Sequence, residues 1–168
     1  MSGITAYNSE PIVVLGVGNI LLSDEGVGVH VVNKLRDTYS FTPNITLLDG
    51  GTMGMEIMSF MVGMRKLLLL DAISGEEKPG TVYQFHHQEM NKYFNNDEIS
   101  MHEIGIQDVL AIRFAQDDPL DDAVVIGVEP EDLEFGLEPT QTVQAVMPDV
   151  EQRVLAVLRS WGVEAHKK

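Results

Sequence analysis

Ile12-Val13-Val14-Leu15-Gly16-Val17-Gly18-Asn19-Ile20-Leu21-Leu22-Ser23-Asp24-Glu25-Gly26 is the stretch from which the fold is read. It opens with a β-branched run, Ile12–Val17, bounded by Pro11 and Gly18, the pattern of a buried strand. Behind it Val27, Val31 and Leu35 recur every four residues, which predicts a helix from about Gly26 to Asp37 with one apolar stripe. A buried strand, a glycine-bearing turn and an amphipathic helix together begin an α/β unit.

The alternation continues outward. Ile45–Leu48 reads as a second strand, ended by Asp49-Gly50-Gly51-Thr52, and Leu67–Leu70 as a third. Between them Met53–Met61 predicts a methionine-rich helix, whose expected role is packing. Thr81–Phe85 reads as a fourth strand. Its link to the third, Ala72–Gly80, contains Ser74-Gly75 and Pro79-Gly80 and is too short for a helical crossover. A parallel neighbour needs a dozen or more connecting residues, so this strand should run antiparallel to the others. Ser100 with Glu103 matches a capping box and predicts a helix to about Ala115, and Ala123–Val128 is a fifth strand.

The last helix carries Val143, Met147, Val150, Val154, Val157 and Trp161 in alternating steps of four and three, a stripe suited to packing on the sheet. Pro148 falls inside it and predicts a kink or a late start. Gly162 suits a helix stop, and Glu164–Lys168 reads as a frayed tail. The expected fold is an α/β three-layer sandwich: a five-stranded, mostly parallel twisted sheet with one antiparallel strand and helices on both faces. One domain should span residues 1–168, with flexible ends at 1–10 and 164–168.

Composition narrows the function. Eleven basic against 26 acidic residues give a net charge of −15, which argues against nucleic acid and anionic membranes as partners. The chain has no cysteine, so thiolate metal sites, iron–sulfur ligation and a cysteine nucleophile are excluded. The first ten residues lack the basic and apolar regions of a signal peptide, and no apolar run approaches the length of a membrane span. A cytoplasmic protein is expected.

In an open α/β sheet the ligand crevice lies outside the carboxyl ends of the parallel strands. Those ends lead here to Asp24-Glu25, Asp49, Asp71 and Glu129. Singly, each acid suits a turn or a first helical turn. Four on one edge are costly unless a cation offsets them. His102, at the start of the predicted Ser100 helix, adds a nitrogen donor. A helix N-terminus disfavours the protonated ring and leaves the neutral imidazole that a metal needs. Alone, His102 would be read as a surface residue. His86 and His87, consecutive in or after a strand, His30 on a helix surface and His166 in the tail are weaker candidates. Glu25, Asp71 and His102 together suit nickel, zinc or another borderline divalent ion, with positions left for substrate or water.

Dinucleotide binding is the competing reading, since Gly16-Val17-Gly18 lies between a strand and a helix and Asp49 could pass for a ribose-binding acid. A full fingerprint needs GxGxxG, however, and Leu21 stands at the third glycine. Asp24 and Glu25 would also face the pyrophosphate with negative charge.

Taken in order, Gly16-Val17-Gly18-Asn19 with Asp24-Glu25-Gly26-Val27-Gly28, then Asp49-Gly50-Gly51-Thr52, Leu70-Asp71-Ala72, Met101-His102 and Gly127-Val128-Glu129-Pro130 resemble the hydrogenase maturation endopeptidases. The resemblance runs from about Val13 to Gly162. It implies a cytoplasmic protease that removes a C-terminal extension from the large-subunit precursor of a nickel–iron hydrogenase after nickel insertion. The family's nickel-contacting residues match Glu25, Asp71 and His102, and its DGGT aspartate matches Asp49, a fourth candidate for the catalytic site. Nickel would arrive with the precursor, other divalent ions being able to substitute, and the precursor would be the partner. The family is often grouped with aspartic endopeptidases, yet the chain contains no DTG or DSG dyad motif. A non-catalytic chaperone that recognises the metal centre is the alternative. Oligomeric state is left open, a monomer being compatible with an enzyme that meets one large partner.

Overall fold

A computed structural model describes residues 11–51, 62–86, 89 and 120–168. Its main sheet has five strands: β1 (Ile12–Val17), β3 (Thr46–Gly51), β4 (Lys66–Ala72), β5 (Val82–His86) and β6 (Asp122–Val128). They lie in the order β3-β1-β4-β6-β5. β1 pairs in parallel with β3 and β4, and β4 with β6. β5 pairs antiparallel with β6 at the edge, as the short Ala72–Gly80 link requires.

The central strands are buried on both faces, which explains their continuous apolar runs. Val14, Leu68, Leu70, Val124 and Ile126 meet helices α1 (Val27–Thr38) and α2 (Gln141–Ser160) on one face. Val13, Leu15, Leu67, Leu69 and Val125 face the other way and gather Met64, Ile73 and Phe85. The two remaining predicted helices, Met53–Met61 and the one opened by Ser100, lie outside the described residues, as does the segment 1–10.

Three details of the ends differ from expectation. α2 begins well before Pro148, capped by the Thr140 hydroxyl, which accepts the Val143 N–H at 3.4 Å. Pro148 sits on the exposed side, where its missing donor and its bulk fall toward water rather than the core, so the helix continues through it. A short strand β2 (Tyr39–Thr42) follows α1, and the predicted frayed tail is its antiparallel partner β7 (Glu164–Lys167). The tail is held by backbone pairing, by Lys168 N–H on the Thr38 carbonyl at 3.0 Å, and by Lys168 Nζ on the Arg36 carbonyl at 2.6 Å. All four β7 residues are exposed, so no apolar alternation announced the strand. His30, expected on a helix surface, is partly buried, and its Nε2 is buried without a hydrogen-bond partner.

Candidate functional site

The chain passes from β1 to β3 on one side and then to β4 on the other, so the β1/β4 junction is the topological switch point of the sheet. Ligand crevices of open α/β sheets form there. A 3-10 turn, Ser23–Gly26, leads from β1 into α1 and carries Glu25. Asp71 lies near the end of β4, in register with Gly127 of β6.

Missing side chains let the first turn of α1 pack closely on β4. A Cβ on Gly28 would collide with the Leu70 carbonyl, and one on Gly16 with the Gly28 carbonyl. The first turn of α1 therefore rests against the residue before Asp71, with Glu25 three positions upstream. Gly18, at φ +123°, abuts the Glu25 carbonyl and tolerates no side chain there. The carboxylates differ in setting. Asp71 is 2% exposed, and its Oδ1 accepts the Ala72 N–H at 2.8 Å, whereas Glu25 is half-buried.

Asp49 is exposed and shapes the neighbouring turn. Its Oδ1 accepts the Gly51 N–H at 3.0 Å, and its Oδ2 accepts Asn33 Nδ2 at 3.3 Å. The Gly51 carbonyl in turn accepts the Gly18 N–H at 2.9 Å, so Asp49 is linked through Gly51 and Gly18 to the backbone of Glu25.

The remaining two strand-end acids are satisfied by the protein itself, which corrects the expectation that all four require a cation. Asp24 is 0% exposed and accepts hydrogen bonds from Glu131 N–H at 2.8 Å, Asp132 N–H at 3.0 Å, Thr140 N–H at 2.7 Å and Thr140 Oγ1 at 3.0 Å. It ties the 131–140 loop to the Glu25 turn. Glu129, also buried, accepts Gly75 N–H at 2.7 Å and Tyr83 Oη–H at 2.6 Å through Oε2. Burial and this bond to Glu129 hold the Tyr83 phenol well above its ordinary value. Thr140, directly before an apolar helical stripe, had a legible capping signal. Nothing in the sequence marked Asp24 as turned inward.

His102 lies outside the described residues, and among the described residues no three histidine, aspartate and glutamate side chains gather as a metal-holding group. Glu25 and Asp71 are thus the described part of the candidate site. Their donor chemistry fits a borderline divalent ion once an imidazole joins them.

The comparison with known proteins decides the family. A model of the hydrogenase maturation proteases (HycI) matches residues 29–157. The chain belongs to the hydrogenase maturation protease family. It is 43% identical over 156 residues to the hydrogenase 2 maturation protease of Escherichia coli strain K12, covering 92% of this chain and 94% of that protein. It is 37% identical over 153 residues to the hydrogenase expression/formation protein HupD of Rhizobium leguminosarum bv. viciae, covering 90% and 76%. Among solved structures, the hydrogenase maturating endopeptidase HybD from E. coli superposes with a TM-score of 0.86 at 38% identity, over 95% of this chain and 98% of that one. The family resemblance and the α/β fold expected from sequence are both borne out by these matches.

Proposed function

We propose that this chain is an endopeptidase that removes the C-terminal extension of a nickel–iron hydrogenase large-subunit precursor, acting on the precursor once nickel is in place. What supports the reading is the family match, together with the placement of the Glu25 turn and of the end of β4 that bears Asp71 at the sheet's switch point. With His102 they supply two carboxylates and an imidazole, a donor set suited to nickel. The ion belongs to the substrate. When present, it supplies Lewis-acid polarisation of the scissile carbonyl or of a bound water.

The chain's own residues do the rest. Asp71, buried and oriented by the Ala72 N–H, is a fixed contact for the metal centre. Glu25 is the more accessible carboxylate and the better placed to exchange a proton with solvent during hydrolysis. Asp49 orders the end of β3, whose Gly51 carbonyl holds the Gly18 N–H, and would shape the crevice or guide the C-terminal peptide. The acidic residues act as ion contacts and proton acceptors, and no paired-aspartate dyad is part of the proposal. We place the reaction in the cytoplasm. The lack of cysteine suits that compartment, and no helix among the described residues is long and apolar enough to cross a membrane.

The test offers nickel-loaded and nickel-free precursor to the protein and follows the large subunit by mass. Only the loaded form should lose its tail. Equal cleavage of both would remove nickel from the reading, and no cleavage of either would favour a metal-recognising chaperone. Glu25→Gln and Asp71→Asn should each slow processing by about 100-fold or more while the thermal midpoint stays within a few degrees.

A further inference from the structure

A second stretch of chain lies along the turn that carries Glu25. The Gly136 N–H donates to the Leu21 carbonyl and the Ser23 N–H to the Gly136 carbonyl, both at 2.9 Å, around a parallel bridge between Leu22 and Gly136. The bridge sets Leu21 level with Phe135. Around it Ile20 is 46% exposed, Leu21 48%, Leu133 46%, Phe135 78% and Leu137 61%. These are five of the six exposed large apolar residues in the described structure, the sixth being Val62. Single exposed apolar side chains are ordinary, but five on two adjoining segments form a patch that needs an explanation.

The patch is not a slack loop. Asp24 grips it at Glu131, Asp132 and Thr140, and the Ser23 hydroxyl donates to the Glu134 carbonyl at 2.9 Å. A rigid apolar surface with an aromatic at its crest binds with little ordering cost. Its border is acidic: Glu131, Asp132, Glu134 and Glu138 are all exposed, and neither 131–140 nor 18–26 contains Lys or Arg. A second copy of this chain would set acidic border against acidic border, and an anionic membrane would be repelled.

We infer that Ile20, Leu21, Leu133, Phe135 and Leu137 form the docking surface for the large-subunit precursor, meeting an apolar face of that protein bordered by Lys and Arg and adjacent to its metal centre. Two arguments choose this occupant. The patch is continuous with the candidate site, since Asp24, which grips the loop, directly precedes Glu25, and its border complements a basic partner but not an acidic one. The inference rests on the processing role proposed above.

The experiment measures steady-state cleavage of the nickel-loaded precursor by wild type, by Phe135→Ser with Leu137→Ser, and by Glu134→Lys with Glu138→Lys. Both double variants should raise KM by about tenfold or more and leave kcat within about twofold. Added salt should raise the wild-type KM and have less effect on the charge-reversed variant. Circular dichroism confirms folding, and if the apolar variant unfolds, the charge-reversed one alone decides. No cleavage by wild type would overturn the processing role itself. Normal KM in folded variants would overturn the docking surface and leave the processing role standing. A wild-type dimer in sedimentation that Phe135→Ser abolishes would also overturn it, by making the patch a self-interface.

Discussion

Asp24 and Glu25 are neighbours with opposite surroundings. The first is sealed from water and accepts four hydrogen bonds; the second is half-buried at the edge of the crevice. Asp24→Ala would strip three backbone N–H groups of their acceptor, each loss costing about 1–3 kcal/mol. We expect a total of about 3–5 kcal/mol, seen by calorimetry as a fall in Tm of about 6–20 °C. An unchanged Tm would mean that water replaces the carboxylate. Sequence alone grouped the two residues as one acidic feature, because a turn's composition does not say which side chain points inward. Asp71 was legible for a firmer reason: it ends a run of four leucines within a chain of alternating strands and helices, which places it near the end of a buried strand.

Among the elements, legibility followed burial. β1, β4 and β6 are buried on both faces and were read from their apolar runs nearly to the residue. β5 was read with its direction, because linker length forbids a crossover. β2 and β7 were not read: each has only four residues, and β7, whose one apolar residue is Ala165, is exposed throughout. Their pairing covers Tyr39 and Phe41, both buried and in tilted contact with ring centroids 6.2 Å apart. The Tyr39 hydroxyl also donates to Glu151 Oε1 of α2 at 3.0 Å. If this ribbon is structural, Ala165→Pro, opposite Phe41, should lower Tm by several degrees and quench none of the processing activity. A melting curve that overlays wild type would reduce β7 to a passive tail.

At the scale of the whole molecule, the sheet end opposite the candidate site also carries a charged contact that stabilises the fold. Asp122 begins β6, about 20 Å from the carboxyl ends that hold the site. Burial works against its charge, but the Trp161 indole N–H at 2.9 Å and the His86 ring at 3.2 Å prevail and hold its carboxyl below the ordinary value. Because the folded value lies below the unfolded one, the stabilisation is present above about pH 4 and is lost as pH falls through the folded value. Asp122→Asn should therefore be less stable than wild type at neutral pH, with the gap closing in acid, and should keep its cleavage rate. A gap that persists in acid would assign the loss to packing instead of charge.

The adjacency of Asp24 and Glu25 also has a metric consequence. One peptide unit separates Asp24, which anchors the 131–140 loop, from Glu25, the metal contact in the proposed function. The hydrogen bonds of Asp24 and Ser23 therefore tie the loop that carries Phe135 to the backbone beside Glu25. A precursor seated on that loop would be held against a fixed gauge. On the processing role and docking surface proposed above, a precursor whose nickel lies at the matching offset would meet Glu25, and a displaced or incompletely folded centre would be rejected by distance, without any change of shape in the protease.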